Sequence, residues 1–187
     1  LLHAQIEPHF LFNTLANVQA LVESGSPQAA TVLASLIAYL RASMPRLDDD
    51  GATLGSELAQ VRAYLELMHL RMPDRLRFEL CVPDELLPLR FPPMALLTLV
   101  ENAIRHGIDP SEQGGAIEVG ARREAGSRAV RVWVADSGAG MSETAAAGTG
   151  LTNLRARLKA FYGEAARLEL VEQAPHGLRA ELVFEPA

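Results

Sequence analysis

The sequence predicts an α+β protein: an N-terminal helical hairpin over residues 1–50, then a two-layer α/β sandwich over residues 51–187. Two observations carry that prediction. Apolar residues recur at helical spacing through the first 45 positions, broken once by the turn signal "ESGSPQAA" at residues 23–30. From Leu76 onward the period changes. Short stretches alternating apolar with polar residues are interleaved with two longer helical patterns, which suits a largely antiparallel sheet layered with helices.

Pro8 suits a helix start or a kink in a longer helix. Ser26 reads as an N-cap with Pro27 at the first helical position, and Val32, Leu33, Leu36, Ile37 and Leu40 mark the second helix. The acidic, Gly-containing "RLDDDGATLG" leads to a third helix, from about Leu54 to Arg71, which Thr53 would cap and "MPDR" would end. "RLRFELCV" alternates Leu76, Phe78, Leu80 and Val82 with Arg77, Glu79 and Cys81, a strand pattern. "PPMALLTLVENAIRHG", over residues 92–107, opens on Pro, closes on Gly and reads as a helix. "AIEVGARR" and "RAVRVWVAD" are strands around the loop "EAGS", and "GLTNLRARLKAFYG" is a helix closed by Gly163. "RLELVEQ" and "GLRAELVFEP" make a terminal hairpin through "APHG".

Composition narrows the partners. Apolar residues make up 49% of the 187, enough for a sizeable core, but aromatics are only 5%, so aliphatic side chains must fill most of it. The formal charge of −6 argues against nucleic acid, which would favour a basic face. Cys81 stands alone, so neither an internal disulfide nor a cysteine zinc cluster is available. No apolar run reaches the roughly 20 residues that span a bilayer, and no signal peptide is recognisable. The chain begins without Met, at "LLHAQIEPHF", already in helix-like sequence, and is expected to be a piece of a longer protein whose missing part lies upstream.

Three stretches could carry chemistry. In "LVENAIRHG", Asn102, Arg105 and His106 share a helix face at i, i+3 and i+4. An amide oxygen there can ligate Mg²⁺ and a guanidinium can clamp phosphate; a solvated helix end with a Glu101–Arg105 pair explains the same residues. In "VWVADSGAGM", Asp136 ends a strand of valines and could accept from an adenine amino group, while Gly138 and Gly140 allow close backbone approach; an ordinary Asp-Gly turn fits equally. In "AAAGTGLTNLRARL", Gly148, Thr149 and Gly150 lead into a helix whose N-terminal amides suit phosphate, though the stretch matches neither a P-loop nor a dinucleotide-binding fingerprint.

The order of these stretches is more specific than any one of them. With "QIEPHFLFN" at 5–13, "LVENAIRHG" at 99–107, "DSGAG" at 136–140 and "GTGLTNLRARL" at 148–158, the chain resembles, over nearly its whole length, the catalytic core of sensor histidine kinases of the LytS/YehU type. Those share the ATP-binding fold of gyrase and MutL. The resemblance implies ATP and Mg²⁺ as cofactors, with Asn102 holding the metal. Arg105 stands where such kinases often carry a phosphate-contacting Lys, and His106 shares its face. Asp136 would read adenine, Gly138 and Gly140 would pack at the pocket base, and Gly148, Thr149, Gly150 and Leu151 would border the phosphates. Residues 141–147 would form a lid.

By the same resemblance His9 is the phosphoacceptor, and phosphate would pass on to an aspartate of a response-regulator receiver domain. On a helical wheel His9 falls opposite Leu11, Leu15, Val18 and Val22, which is expected to present the imidazole outward. Many histidine kinases place an acid directly after the histidine; here Phe10 stands there, and Glu101 is the candidate acid partner. Asn13, one turn on, is expected to help position water for dephosphorylating the partner. The stripe on Val32, Leu33, Leu36, Ile37 and Leu40 is expected to pair two copies into a four-helix bundle. The full-length protein is expected to sit in a bacterial membrane, with this part on the cytoplasmic side and its sensor upstream. His3, His69 and His176 are read as having no chemical role. Two alternatives stay open: an ATPase on the same fold, against which Thr98 counts because gyrase-type enzymes carry a glutamate there, and a nucleotide-binding module without catalysis.

Overall fold

Two helices joined by a tight turn open the protein: α1 spans Pro8–Glu23 and α2 spans Gln28–Ser43. The computed structural model describes residues 8–43, 51–140 and 149–186, and the side chain of His9 lies outside that description. Gly25, at φ +67°, reverses the chain, and Ser26 N–H returns to Leu21 O at 2.9 Å. The Ser26 hydroxyl then accepts from Gln28 N–H at 3.3 Å, as expected of a residue capping α2.

Helix α3 runs Leu54–Arg71 and is capped as its sequence predicts: Thr53 Oγ1 accepts from Ser56 N–H, and Ser56 Oγ accepts from Thr53 N–H. Such a cap is worth about 1 kcal/mol. Strand β1, Leu76–Cys81, follows. Helix α4, Ala95–Asn102, continues without a break into a π-helical turn, Ala103–Ile108. Strands β2, Gly115–Arg123, and β3, Val130–Asp136, precede helix α5, Thr149–Tyr162, and the hairpin of β4, Arg167–Glu172, with β5, Leu178–Phe184. The helix expected over 92–107 thus begins three residues late. The prolines lie in the preceding turn, and Met94, in the left-handed region at φ +61°, redirects the chain into α4.

The strands form one mixed sheet in the order β1-β2-β3-β5-β4, parallel between β1 and β2 and antiparallel elsewhere. A parallel pair needs a crossover, which α4 and its π-helical turn supply. Strand β3 is central. Val130, Val132, Val134 and Asp136 alternate onto its buried face, with Ile117 and Val119 of β2 and Ala180 and Leu182 of β5 beside them. Leu96, Val100 and Ile104 cover this face from α4, and Leu151, Leu154 and Leu158 from α5. The opposite face carries a lattice of charge in which Arg131 reaches Glu124, Glu169 and Glu181 while Arg179 pairs Glu181 at 2.6 Å. Trp133 lies over Gly120, its opposite number on β2, and leaves no room for a side chain there.

The hairpin buries a different face from the one its periodicity suggests. Phe10, Thr14 and Val18 are the buried residues of α1, and Val32, Leu36 and Tyr39 those of α2. The rings of Phe10, Tyr39 and Tyr64 lie 5.4–5.7 Å apart and tie α1, α2 and α3 into one cluster. Leu15 and Val22, expected to be inside, are 43% and 63% exposed. Val32 and Leu36, expected at an interface between copies, are instead used up within the chain, leaving Leu33 and Ile37 each 42% exposed. An idealised wheel finds the mean apolar direction; it misses Thr14, which satisfies its hydroxyl on Phe10 O at 2.9 Å and can therefore be buried.

Candidate functional site

The sheet's buried face, α4 with its π-helical turn, and the start of α5 line a narrow pocket that opens to solvent. Asn102, His106, Asp136, Gly140 and Leu151, five residues singled out from sequence, line it together. They come from positions up to 49 residues apart and converge because β3 ends, α4 ends and α5 begins at the same edge of the domain.

Asp136 is placed by strand alternation: it is the last inward residue of β3 and is buried. Burial pushes its carboxyl above the usual 3.8, while the backbone amides of Gly138 and Leu178 pull the other way. The Gly138 amide donates to Asp136 Oδ1 at 2.9 Å. The π-helical turn closes on the same carboxylate. A side chain at Gly107 would lie 2.4 Å from Asp136 Oδ1, and one at Gly138 would lie 2.1 Å from Gly107 O. Gly107 leaves room for the carboxylate, and Gly138 lets main chain touch main chain. Ala139 N–H donates to Gly107 O at 2.9 Å, locking the turn after β3 onto the end of the helical segment.

Asn102, half-buried at the end of α4, faces the start of α5: a Cβ on Gly150 would sit 3.8 Å from Asn102 Nδ2. The pocket lining therefore includes a buried acid and an amide that sits beside the first turn of α5. The donor set fits Mg²⁺, a hard cation that needs one or two protein oxygens when phosphates and water supply the rest. Among the described residues no three His, Cys, Asp or Glu side chains gather into a metal cluster, so the protein's share of such a site would be Asn102 Oδ1.

Arg105 is exposed and does not line the pocket. Glu101 is half-buried on α4. Gly148 and the proposed lid lie outside the described residues, as does the side chain of Thr149; Gly150 and Leu151 are in the first turn of α5. His9 is in the first turn of α1, beside the buried anchor Phe10. Asn13 is exposed and lines a groove with Asn17, Gln28, Leu67 and Arg71, between the hairpin and the end of α3.

Sequence reading missed the apolar wall made by Leu99, Ala103, Val134, Leu170, Leu178 and Ala180. The alternation of "RLELVEQ" placed Leu170 on a sheet face, but nothing said which ligand that face would meet. It missed Gly107 too, taken only as a helix stop. It also missed Glu57 of α3, whose buried carboxylate accepts from Met94 N–H at 2.8 Å and Leu96 N–H at 3.1 Å and so caps α4 from another helix. Burial raises the Glu57 carboxyl and these amides oppose the rise. Arg157 of α5 donates to Pro93 O at 2.7 Å, just ahead of the same cap.

This arrangement, a mixed sheet with a ligand pocket under α4 and α5 and a helical hairpin ahead of it, is the fold of histidine kinases. The histidine kinase domain of a blue-light activated kinase from Erythrobacter litoralis matches 93% of this chain and 91% of its own, with a TM-score of 0.58 at 16% identity. The full-length ShkA structure in complex with AMPPNP matches 92% of this chain and 39% of its own, with a TM-score of 0.50 at 21% identity. In sequence, the histidine kinase family model matches residues 1–76. The chain is a relative of the LytS sensor histidine kinases: it is 35% identical over 181 residues to the sensor histidine kinase/phosphatase LytS of Staphylococcus aureus, covering 90% of this chain. It spans 31% of that protein's length.

Proposed function

We propose that the chain is the catalytic core of a sensor histidine kinase, which transfers the γ-phosphoryl of ATP to His9 and from there to an aspartate of a response regulator. The observation that carries this reading is the pocket, whose lining brings together a buried acid, Asp136, an amide beside the start of α5, Asn102, and a mostly apolar set of side chains.

Asp136 accepts from the exocyclic amine of adenine while its carboxylate also holds the backbone amides of Gly138 and Leu178. Leu170, Leu178, Ala180 and Val134 cover the base. The amides at the start of α5, near Gly148, Thr149, Gly150 and Leu151, receive phosphate oxygens. Asn102 would hold Mg²⁺, which would supply charge neutralisation for the phosphates, and His106 lines the same pocket. Arg105, exposed at the rim, meets phosphate only from the solvent side. One imidazole nitrogen of His9 attacks the γ-phosphorus in line, the P–O bond to ADP breaks, and catalysis rests on positioning and charge neutralisation. Glu101 is the acid available to take the imidazole proton. Phe10, where other kinases carry an acid, serves the three-ring anchor instead.

Asn13, on the next turn of α1, is assigned to orienting water when phosphate is removed from the regulator, and a relative named kinase/phosphatase supports that pairing of activities. Two copies associate through the hairpin by the residues still exposed, Leu15, Val22, Leu33 and Ile37. The relative of which this chain spans 31% is a sensor kinase, which supports a sensor region outside the residues of this chain.

Incubation with γ-labelled ATP and Mg²⁺ tests the reading. Acid-labile, base-stable label on the protein, absent from His9→Gln, is expected. Free phosphate without label makes the protein an ATPase, and bound nucleotide with neither makes it a non-catalytic module.

A further inference from the structure

The turn carrying Asp136, Gly138 and Gly140 is held from two sides. Gly107 of the π-helical turn closes one. The other is closed by the loop between β4 and β5, residues 173–177, which is far away in sequence. His176 Nδ1 lies 3.0 Å from Gly138 O. A carbonyl only accepts, so the contact places a hydrogen on Nδ1, which the neutral Nδ1–H tautomer and the imidazolium both provide. The next residue, Gly177, is at φ +118°, and a Cβ there would lie 2.0 Å from Asp136 O. The loop therefore sits directly on the main chain of the acid. Gln173 N–H donates to Gly177 O at 3.0 Å and closes the loop on itself. His176 is otherwise exposed and has no packing role to explain the contact.

We infer that His176 is a positioning residue for base selection: by holding Gly138 O it restrains the φ and ψ of Gly138, the residue whose N–H, in the preceding peptide, binds Asp136 Oδ1, and so helps to aim the carboxylate at the amine of adenine. The inference deepens the proposed reading of Asp136 and rests on it. Three bonds make the relay, from imidazole to Gly138 O, from Gly138 N–H to Asp136, and from Asp136 to the base. Without the first, the turn is held only from the Gly107 side, the Gly138 bond to the carboxylate loosens, and adenine loses part of its advantage over a base that offers oxygen at the same position. The loss falls on discrimination more than on affinity, because the apolar wall of Leu170, Leu178 and Ala180 grips any purine.

The test is binding of ADP and of inosine diphosphate, which carries oxygen in place of the amine, to the chain and to His176→Leu and His176→Asn. Asn presents an amide N–H close to where Nδ1–H lies. The wild type is expected to prefer ADP. His176→Leu should shrink that preference by about three- to tenfold, the worth of one neutral hydrogen bond, and His176→Asn should keep most of it. An undiminished preference in His176→Leu overturns the inference, as does an equal loss in both variants, which would make ring packing rather than the donor responsible. A wild type that binds both nucleotides alike instead overturns the adenine role of Asp136, and this relay with it. Thermal melting of each variant without nucleotide separates these outcomes from unfolding.

Discussion

The two ends of this protein bury their residues differently. Around Asp136 three backbone segments come close, at Gly107, Gly138 and Gly177, and the acid they hold lines a pocket built from α4, the sheet and the start of α5. In the hairpin, one face of each helix is sealed by Phe10, Leu36 and Tyr39 while a second apolar face, with Phe12 68% exposed on α1 and Ile37 on α2, stays exposed among the described residues. The first region is built to hold a small ligand with fixed geometry; the second is half of a larger packing arrangement. The same apolar residue types serve both, and only the glycines tell them apart.

Mutations sharpen that contrast. The largest effect is expected from Leu36→Ala, which empties a fully buried site between α2 and α3 and should cost about 2–5 kcal/mol in chemical denaturation. Gly138→Ala forces a methyl against Gly107 O and should cost about 1–3 kcal/mol while abolishing nucleotide binding, measurable by titration with ADP. Leu33→Ser with Ile37→Ser, one position along from the sealed face, should change the stability of a single chain by no more than about 0.5 kcal/mol yet weaken self-association, read by sedimentation. If this pair destabilises as much as Leu36→Ala does, the second face is not an open one.

Asp136→Asn is the mildest and most diagnostic change. Because burial raises the folded carboxyl above 3.8, its stabilising contribution is full below that value and is lost as pH rises through the folded value. Above the folded value the ligand-free wild type carries a buried charge that the Asn variant does not. The variant should melt at or above the wild-type temperature at pH 7, with the gap closing as pH falls toward 3.8, and should not prefer adenine. A variant less stable than wild type at neutral pH would show that the two amides outweigh burial.

Much of this was legible from residues alone, and the reason lies in locality. The cap of α3 at Thr53, the strands and the end of β3 at Asp136 follow from neighbours within a few positions. The start of α4 did not, because it is set by Glu57, 37 residues away from Met94, and no local rule sees a cap supplied by another helix. The buried face of the hairpin failed for the same reason: periodicity registered both apolar sides of α1 and could not say which one Tyr64 of α3 would claim. The pocket's acid and amide were found as motifs, but its walls from β4 and β5 were not, since an apolar strand face has no signature for what it covers.

The cap on α4 has a mechanical side. Between Leu86 and Ala95 the chain has three prolines and no glycine, and its exit is gripped by a carboxylate from α3 and a guanidinium from α5. Nothing in that stretch can stretch or swivel cheaply. A twist delivered along α3 is therefore passed on to α4, and with it to Asn102, as through a rigid coupling rather than a spring.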